Sequence, residues 1–382
     1  MADSQALVEH AKTAAIAQNE FGMKLLALEV ARKPRENVFL SPLSVFLALS
    51  MTENGAAGKT RTDMRSTLAI PTSLSEDDFQ RAASALSQSL RSRQDVEISI
   101  ANALWADRSF KLADGFVQRA REYYDAEAAT LDFHQPAAAR TINDWVSQHT
   151  KGKIPEIVTF DIVRAAIAIL TNAVYFRGRW LEPFSKNLTQ DAPFHKADGT
   201  QKMIPMMHRD RLSGAYRSGD SFEAARLPYQ TSGIAMYAIL PAAGTTPEQA
   251  LAKISVAGLI QGSDPAELDL RLPRFSLNYG NSLKDPLARM GMEIAFRWPG
   301  ADFAPMGSSR IYIGDVIHKT RLEVDEEGTV AAAATAVIMR PGAVMSRRER
   351  KSLTFDRPFG VLLCDERTDA VLFAGVIYDP GN

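Results

Sequence analysis

Gly55-Ala56-Ala57-Gly58-Lys59-Thr60 has the residue types that cradle a phosphate: small residues for close backbone approach, a lysine for charge and a hydroxyl for a metal. The spacing defeats that chemistry, because the first glycine of a phosphate loop falls where Glu53 stands. A turn leading into a helix is the simpler reading. Nucleophile and metal chemistry fare no better. No serine sits in a G-x-S-x-G elbow, and no H-E-x-x-H pair occurs. The six histidines, His10, His134, His149, His195, His208 and His318, are too dispersed for a local metal motif. The expectation is a protein that is not an enzyme and takes no metal or cofactor.

One stretch behaves like neither core nor ordinary loop. It runs from Glu326-Glu327-Gly328-Thr329 through Val330-Ala331-Ala332-Ala333-Ala334 to Thr335-Ala336-Val337-Ile338-Met339. From Thr329 to Met339 there is no charged side chain. As a strand, Thr329, Ala331, Ala333, Thr335, Val337 and Met339 share one face, and such a peptide enters a sheet without burying an ion. Alanine is a poor strand former, so a short surface helix is the alternative. Arg340-Pro341-Gly342 then signals a turn or loop. About thirty residues separate Gly328 from Pro358, long for a structureless connection, and the composition is not that of a charged, disordered tail.

The elements around this stretch change character along the chain. Leu7, Ala11, Ala14, Ala15, Phe21, Leu25 and Leu26 recur at helical spacing. Asn37–Leu40 reads as a short strand, and Ser41-Pro42 as an N-cap followed by proline at the first helical position. Asp77–Leu90 and Ala137–Thr150 read as helices, Glu97–Asp107 as a strand, and the apolar run Arg164–Phe176 as a strand covered on both faces. From Met203 onward strands dominate: Ala235–Pro241, Leu268–Phe275, Ile311–Asp325, Val361–Cys364 and Val371–Tyr378, interrupted by a helix over Ser282–Met290. Helices first and strands later argue for α+β rather than alternating βαβ.

Composition bounds the partners. The 382 residues are 46% hydrophobic, ample for a large core, and 44 basic against 45 acidic side chains leave a formal net charge of -1. That balance speaks against a nucleic-acid or other polyanion partner. No run approaches the ~18 apolar residues of a membrane span. Met1–Glu20 lacks the apolar core of a secretory leader, which favours a cytoplasmic chain, or an extracellular one whose leader has been trimmed. Cys364 is the only cysteine and reads as a buried apolar thiol. Asn187-Leu188-Thr189 matches a glycosylation acceptor, a pattern expected by chance in a chain this long.

Seven ordered segments resemble the serpins, inhibitors of serine proteases. They are residues 37–44, 143–146 with 150–154, 170–180 with Phe184, Ile204-Pro205-Met206-Met207, Leu272-Pro273-Arg274-Phe275, Asp356-Arg357-Pro358-Phe359 and 373–380. The resemblance covers residues from about Glu20 to Pro380, and departs from the family pattern at Val376, where a basic residue is common.

The resemblance implies one α+β domain, 1–382, with three β-sheets, about nine helices and an exposed reactive loop at about 326–352. A protease cleaves the loop as substrate, and the loop inserts as a new strand in the main sheet before the acyl-enzyme hydrolyses, a stored-strain release. The hinge is Glu326, Gly328, Thr329, Ala331, Ala332, Ala333 and Ala334, free of the charge and bulk that spoil hinges in non-inhibitory members. Counting as the family counts puts the scissile bond at Gly342-Ala343, with Ala343-Val344, Met345-Ser346 and Arg347-Arg348 as alternatives. Glycine there suits an elastase- or subtilisin-like serine protease, and Arg347-Arg348 a trypsin-like one. Arg347-Arg348-Glu349-Arg350-Lys351 is otherwise a solvated loop, an exosite or, least of all, a nucleic-acid contact.

By the same carry-over, Trp180, Arg274 and Glu326 mark where the loop first enters, with Arg274 and Glu326 ion-paired. Ser41, Ser44, Asn172 and His318 bridge the central strands. Leu68–Phe79 holds no Lys or Arg, which argues against a heparin site there. The chain is expected to be a monomer. A non-inhibitory serpin acting as carrier or chaperone is the alternative, and an unrelated hydrolase the third reading.

Overall fold

The computed structural model describes residues 2–91, 96–230, 233–307, 311–329 and 349–381. The chain opens with helix α1 (Ala2–Arg32), strand β1 (Val38–Leu40) and α2 (Pro42–Glu53). Ser41 caps α2 by accepting the Ser44 N–H, and Pro42 occupies its first turn. Every residue of α2 is buried, as a helix apolar on all sides must be. Next come α3 (Gly58–Thr67), α4 (Glu76–Arg91), β2 (Glu97–Asp107), α5 (Asp114–Tyr124), β3 (Glu127–Leu131), α6 (Pro136–His149), α7 (Phe160–Arg164) and β4 (Ala168–Arg179). Strands then take over: β5 (Gln190–His195), β6 (Gln201–Gly219), β7 (Phe222–Pro228) and β8 (Ile234–Pro241). After α8 (Pro247–Leu251) and α9 (Val256–Gln261) follow β9 (Asp264–Pro273), β10 (Phe275–Ser282), α10 (Lys284–Leu287), β11 (Asp315–Val324), β12 (Gly328–Thr329), β13 (Arg350–Thr354), β14 (Phe359–Asp365) and β15 (Ala370–Ile377).

The fold is the expected α+β arrangement, with ten α-helices among the described residues. Hydrogen bonding joins the strands into two sheets where three were expected. The 19-residue β6 runs through a register break between Arg209 and Leu212 and, by pairing with β5, β7 and β9, joins them in one sheet. The resulting nine-stranded sheet runs β1-β15-β14-β8-β7-β6-β9-β13, with β5 on β6. The six-stranded sheet runs β10-β11-β12-β4-β2-β3.

Several boundaries differ from the sequence reading, Ile311–Asp325 among them, since β11 begins only at Asp315. Arg164–Phe176 is not one strand: Thr159 caps the short α7, which ends at Arg164 before β4 begins. Leu268–Phe275 straddles the break between β9 and β10 at Arg274. In Ser282–Met290 only Lys284–Leu287 is α-helical, and a wider turn follows. Residues 68–79 are mostly turn, because α4 starts only at Glu76 and carries its exposed Arg81 beyond that window.

Two cores flank the six-stranded sheet. On the inner face α2 lies between β15 and the β4–β2 pair. On the outer face Ile142 and Val146 of α6 pack with Ala101 and Ala103 of β2, Ile169 and Ala173 of β4 and Ile317 of β11. Where α1 crosses the start of α2, Gly22 leaves no room: an added Cβ would sit 2.2 Å from Pro42 Cβ. Gly22→Ala is therefore expected to destabilise the fold by about 1–3 kcal/mol through overpacking. Circular-dichroism melting checks this, and an unchanged melting temperature would contradict the tight crossing.

Candidate functional site

The central seam of the six-stranded sheet joins β4 to β11 directly and in parallel. Seven facing pairs run from Asp315 with Ile169 to Arg321 with Tyr175. Above the last pair the two strands part. There β12 enters antiparallel to both, with Thr329 opposite Gly178 on one side and Val324 on the other. Thr329 is fully buried and its hydroxyl lies 2.8 Å from the Tyr229 hydroxyl. Burial pushes the Tyr229 phenol upward, so it stays a neutral partner.

A tight turn delivers the wedge. The Asp325 carboxylate accepts the N–H groups of Glu327 (2.9 Å) and Gly328 (3.1 Å), and the Gly328 carbonyl accepts the Asp325 N–H at 2.9 Å. Burial raises the Asp325 pKa, while those backbone donors pull the other way. Gly328 has φ +152°, and an added Cβ would lie 2.1 Å from the Gly178 carbonyl oxygen. Only glycine fits there.

Trp180, Arg274 and Glu326 do meet at this entrance. The Trp180 indole donates to the Asp325 carbonyl at 2.9 Å and stacks on Tyr229 at 4.5 Å between ring centroids. The buried Glu326 carboxylate accepts from the Thr189 hydroxyl at 2.7 Å. Arg274 stands farther off, 3.8 Å from Glu326, with its side chain 51% exposed, so the expected ion pair is loose and screened. Backbone bonds from Trp180 N to the Glu327 carbonyl (3.0 Å) and from Phe184 N to the Glu326 carbonyl (2.8 Å) tie the turn to the end of β4.

Lower in the seam, Ser41, Ser44, Asn172 and His318 form one buried network. The Ser41 backbone N–H donates to His318 Nε2 at 3.1 Å. That donor fixes the tautomer: Nε2 is unprotonated, and Nδ1–H donates to Asn172 Oδ1 across the β4–β11 seam. The Asn172 amide nitrogen donates to the Ser44 hydroxyl and to Asn102 Oδ1. Ser41 Oγ donates to the Leu372 carbonyl at 2.7 Å, anchoring the network to the other sheet.

Sequence reasoning missed Asn102 and Tyr229. Asn102 left a signal, a lone amide inside the otherwise apolar middle of β2, whereas Tyr229 left none because its partner lies 100 residues away. Ala331, Ala332, Ala333, Ala334, Gly342, Ala343, Met345, Ser346, Arg347 and Arg348 lie outside the described residues. Cys364 is a free, buried thiol as expected, its pKa pushed well up by burial.

Burial pushes the His318 pKa down to about 3. The unfolded chain takes up this proton near pH 6.5 while the folded one does so only near 3. Between those values the unfolded state holds more protons, so stability falls as the pH falls. Above pH 6.5 the site has no such effect. We expect the midpoint of unfolding to decline from pH 6.5 to 4 in the native chain and to decline less in His318→Gln. Equal slopes in denaturant titrations of the two proteins would remove His318 from the seam's pH response.

The family model described as serpin (serine protease inhibitor) matches residues 16–380. An uncharacterized serpin-like protein of Thermococcus kodakarensis is 35% identical across 90% of this chain and 81% of its own length. The leukocyte elastase inhibitor of Xenopus laevis is 33% identical across 90% of this chain and 93% of its own. Human thyroxine-binding globulin complexed with thyroxine superposes with a TM-score of 0.87 at 25% identity, over 98% of this chain and the whole of that one. With its closed central seam, its glycine-delivered wedge and a match over nearly the full length, this chain belongs to the serpin family.

Proposed function

We propose that this serpin is a suicide-substrate inhibitor of serine proteases, cut at Gly342-Ala343 by an elastase- or subtilisin-like enzyme. The observation that supports the reading is the position of Thr329, an uncharged wedge lodged at the top of a seam that is zipped below it. Cleavage frees the segment from Val330 onward to follow Thr329 downward. The single parallel ladder between β4 and β11 then gives way to two antiparallel ones, which are slightly stronger per residue. On the order of ten added hydrogen bonds at roughly 1 kcal/mol each would drive the step. The inhibitor named among the relatives acts, by its name, on leukocyte elastase, which agrees with glycine at the reactive bond.

The hinge chemistry is permissive at each position it must pass. Val330 to Met339 brings no charge, and its alanines slip past strands that are still parting. Continuing the register of Thr329 by six residues would set Thr335 opposite both Asn172 and His318. The Asn172–His318 bond must break for a strand to pass between them. One hydroxyl can then accept from His318 Nδ1–H and donate to Asn172 Oδ1, so neither group stays unpaired. Trp180, Tyr229 and the Glu326–Thr189 bond hold the entrance. Ser41, Ser44, Asn172 and His318 hold the seam below.

Four outcomes test the reading. Incubation with elastase- and subtilisin-type proteases should yield a detergent-stable covalent complex. Loop cleavage should sharply raise the melting temperature, whereas a carrier or chaperone serpin would show cleavage without either effect. In Thr329→Arg a guanidinium must be buried beside Tyr229 at a cost of several kcal/mol, so the variant should be cut as a substrate with little complex; undiminished complex yield would refute the hinge argument. In Thr335→Val the cleaved form should lose about 1–3 kcal/mol relative to cleaved wild type, as Asn172 or His318 is left unpaired, while the intact forms melt alike. Equal melting of the two cleaved forms would sink that register.

A further inference from the structure

A cleft of about 540 Å³ is bordered by both sheets, and no residue of the central seam or of the loop entrance lines it. One wall is β10, from Ser276 to Tyr279; the other comes from Phe39 of β1 and from Tyr378 and Asp379 beyond β15. The turn after α1 and the turn between β5 and β6 complete the border. Phe39, Leu277, Tyr279 and Tyr378 are buried side chains. The Tyr279 hydroxyl donates to Glu29 and the Tyr378 hydroxyl to Glu248 at 2.7 Å, so these rings bring apolar surface rather than free hydroxyls.

Most of the charges here are already spent. Asp379 is held by Lys202 at 3.2 Å and by Lys196 at 3.5 Å, and Asp198 accepts from the Thr200 N–H and hydroxyl. Arg35 and Glu36 are the exceptions. Both are exposed, and neither side chain has a hydrogen-bond or ion-pair partner among the described residues. The Arg35 guanidinium is near enough to act electrostatically on the Tyr378 phenol. Because β10 is an edge strand, its outer backbone N–H and C=O groups also lack a ladder partner among the described residues.

We propose that this cleft binds a small aromatic zwitterion, of the class of an aromatic amino acid, with its carboxylate on Arg35, its ammonium on Glu36 and its ring against Leu277 and Tyr279. The volume lies within the ~300–1,000 Å³ of small-molecule sites, which pair an apolar lining with a few polar groups. Charge decides the class of ligand. One free cation stands beside one free anion, so a lone anion or a lone cation would leave a charge unmatched. A planar guanidinium takes a carboxylate through two parallel hydrogen bonds, and the open edge of β10 supplies further donors and acceptors. This goes beyond the inhibitory reading and does not depend on it.

The test is calorimetric titration of the full chain with L-tryptophan, indole-3-propionate and tryptamine. The three share a ring and carry both charges, the carboxylate alone or the ammonium alone. We expect saturable one-site binding of tryptophan, and at least tenfold weaker binding of the other two. Arg35→Gln should lower the affinity for tryptophan to that of tryptamine, and Glu36→Gln to that of indole-3-propionate. Both side chains are exposed, so the fold is retained, which thermal melting verifies. Asn278→Trp, at an exposed position of β10 lining the cleft, should fill it and abolish binding. Absence of saturable binding, equal binding of the three compounds, or unchanged affinity in Arg35→Gln would overturn the proposal. Complex formation with a protease, measured on the same samples, tests the inhibitory reading separately.

Discussion

The β4–β11 seam is the junction on which the rest of the structure depends. It is the longer of two parallel pairings in the six-stranded sheet, and it sits at the centre. The antiparallel junctions on either side are longer, with ten facing pairs between β2 and β4 and eight between β10 and β11. A parallel ladder is the weaker kind per residue, so the centre of the sheet is held less firmly than the antiparallel junctions on either side of it. Above this line the chain inserts Gly328 and Thr329, which already hold the two strands apart at one end. The architecture resembles a zip with its slider fitted and its teeth closed.

If insertion drives inhibition as proposed, the closed state persists because of a barrier. The Trp180–Tyr229 stack and the Asp325 turn pin the wedge, and His318, neutral and buried, closes the seam below it. These groups are tied to the body of the molecule: Ser41 N–H binds His318, Ser41 Oγ binds Leu372, and Thr320 Oγ1 donates to the Phe39 carbonyl at 2.8 Å. Opening the seam therefore strains contacts with α2, β1 and β15 as well as the ladder itself.

How much of this was legible in the sequence depends on whether the cause was local. The cap at Ser41-Pro42 and the strand Glu97–Asp107 carry their own signals and stand where they were expected. The five- and six-residue helices α8 and α9 are too short for periodicity to reveal. The apolar run from Arg164 hid where β4 begins, at Ala168, because apolar composition alone does not mark the first residue of a buried strand. Ser41, Ser44, Asn172 and His318 were found by resemblance alone, being scattered over 278 positions that only the fold brings together. Tyr229 and Asn102 stayed hidden for the same reason, and the loose Arg274–Glu326 pair shows that a matching position does not fix a distance.

The polar make-up of the seam is itself informative. An apolar pair in place of Asn172 and His318 would close the sheet at least as well, since buried polar pairs gain little over well-packed apolar ones. What a polar pair adds is the ability to change partners. Asn172 already reaches Ser44, Asn102 and His318. Trp105 donates to Thr171 at 2.9 Å, which binds β2 to β4 on the antiparallel side of β4. Under the proposed insertion, the Asn172–His318 bond crosses the junction that would open, and the Trp105–Thr171 bond the neighbour that would stay closed. Strand insertion as proposed would need that asymmetry, because an unpaired polar group costs about 1–3 kcal/mol and would otherwise oppose the incoming strand.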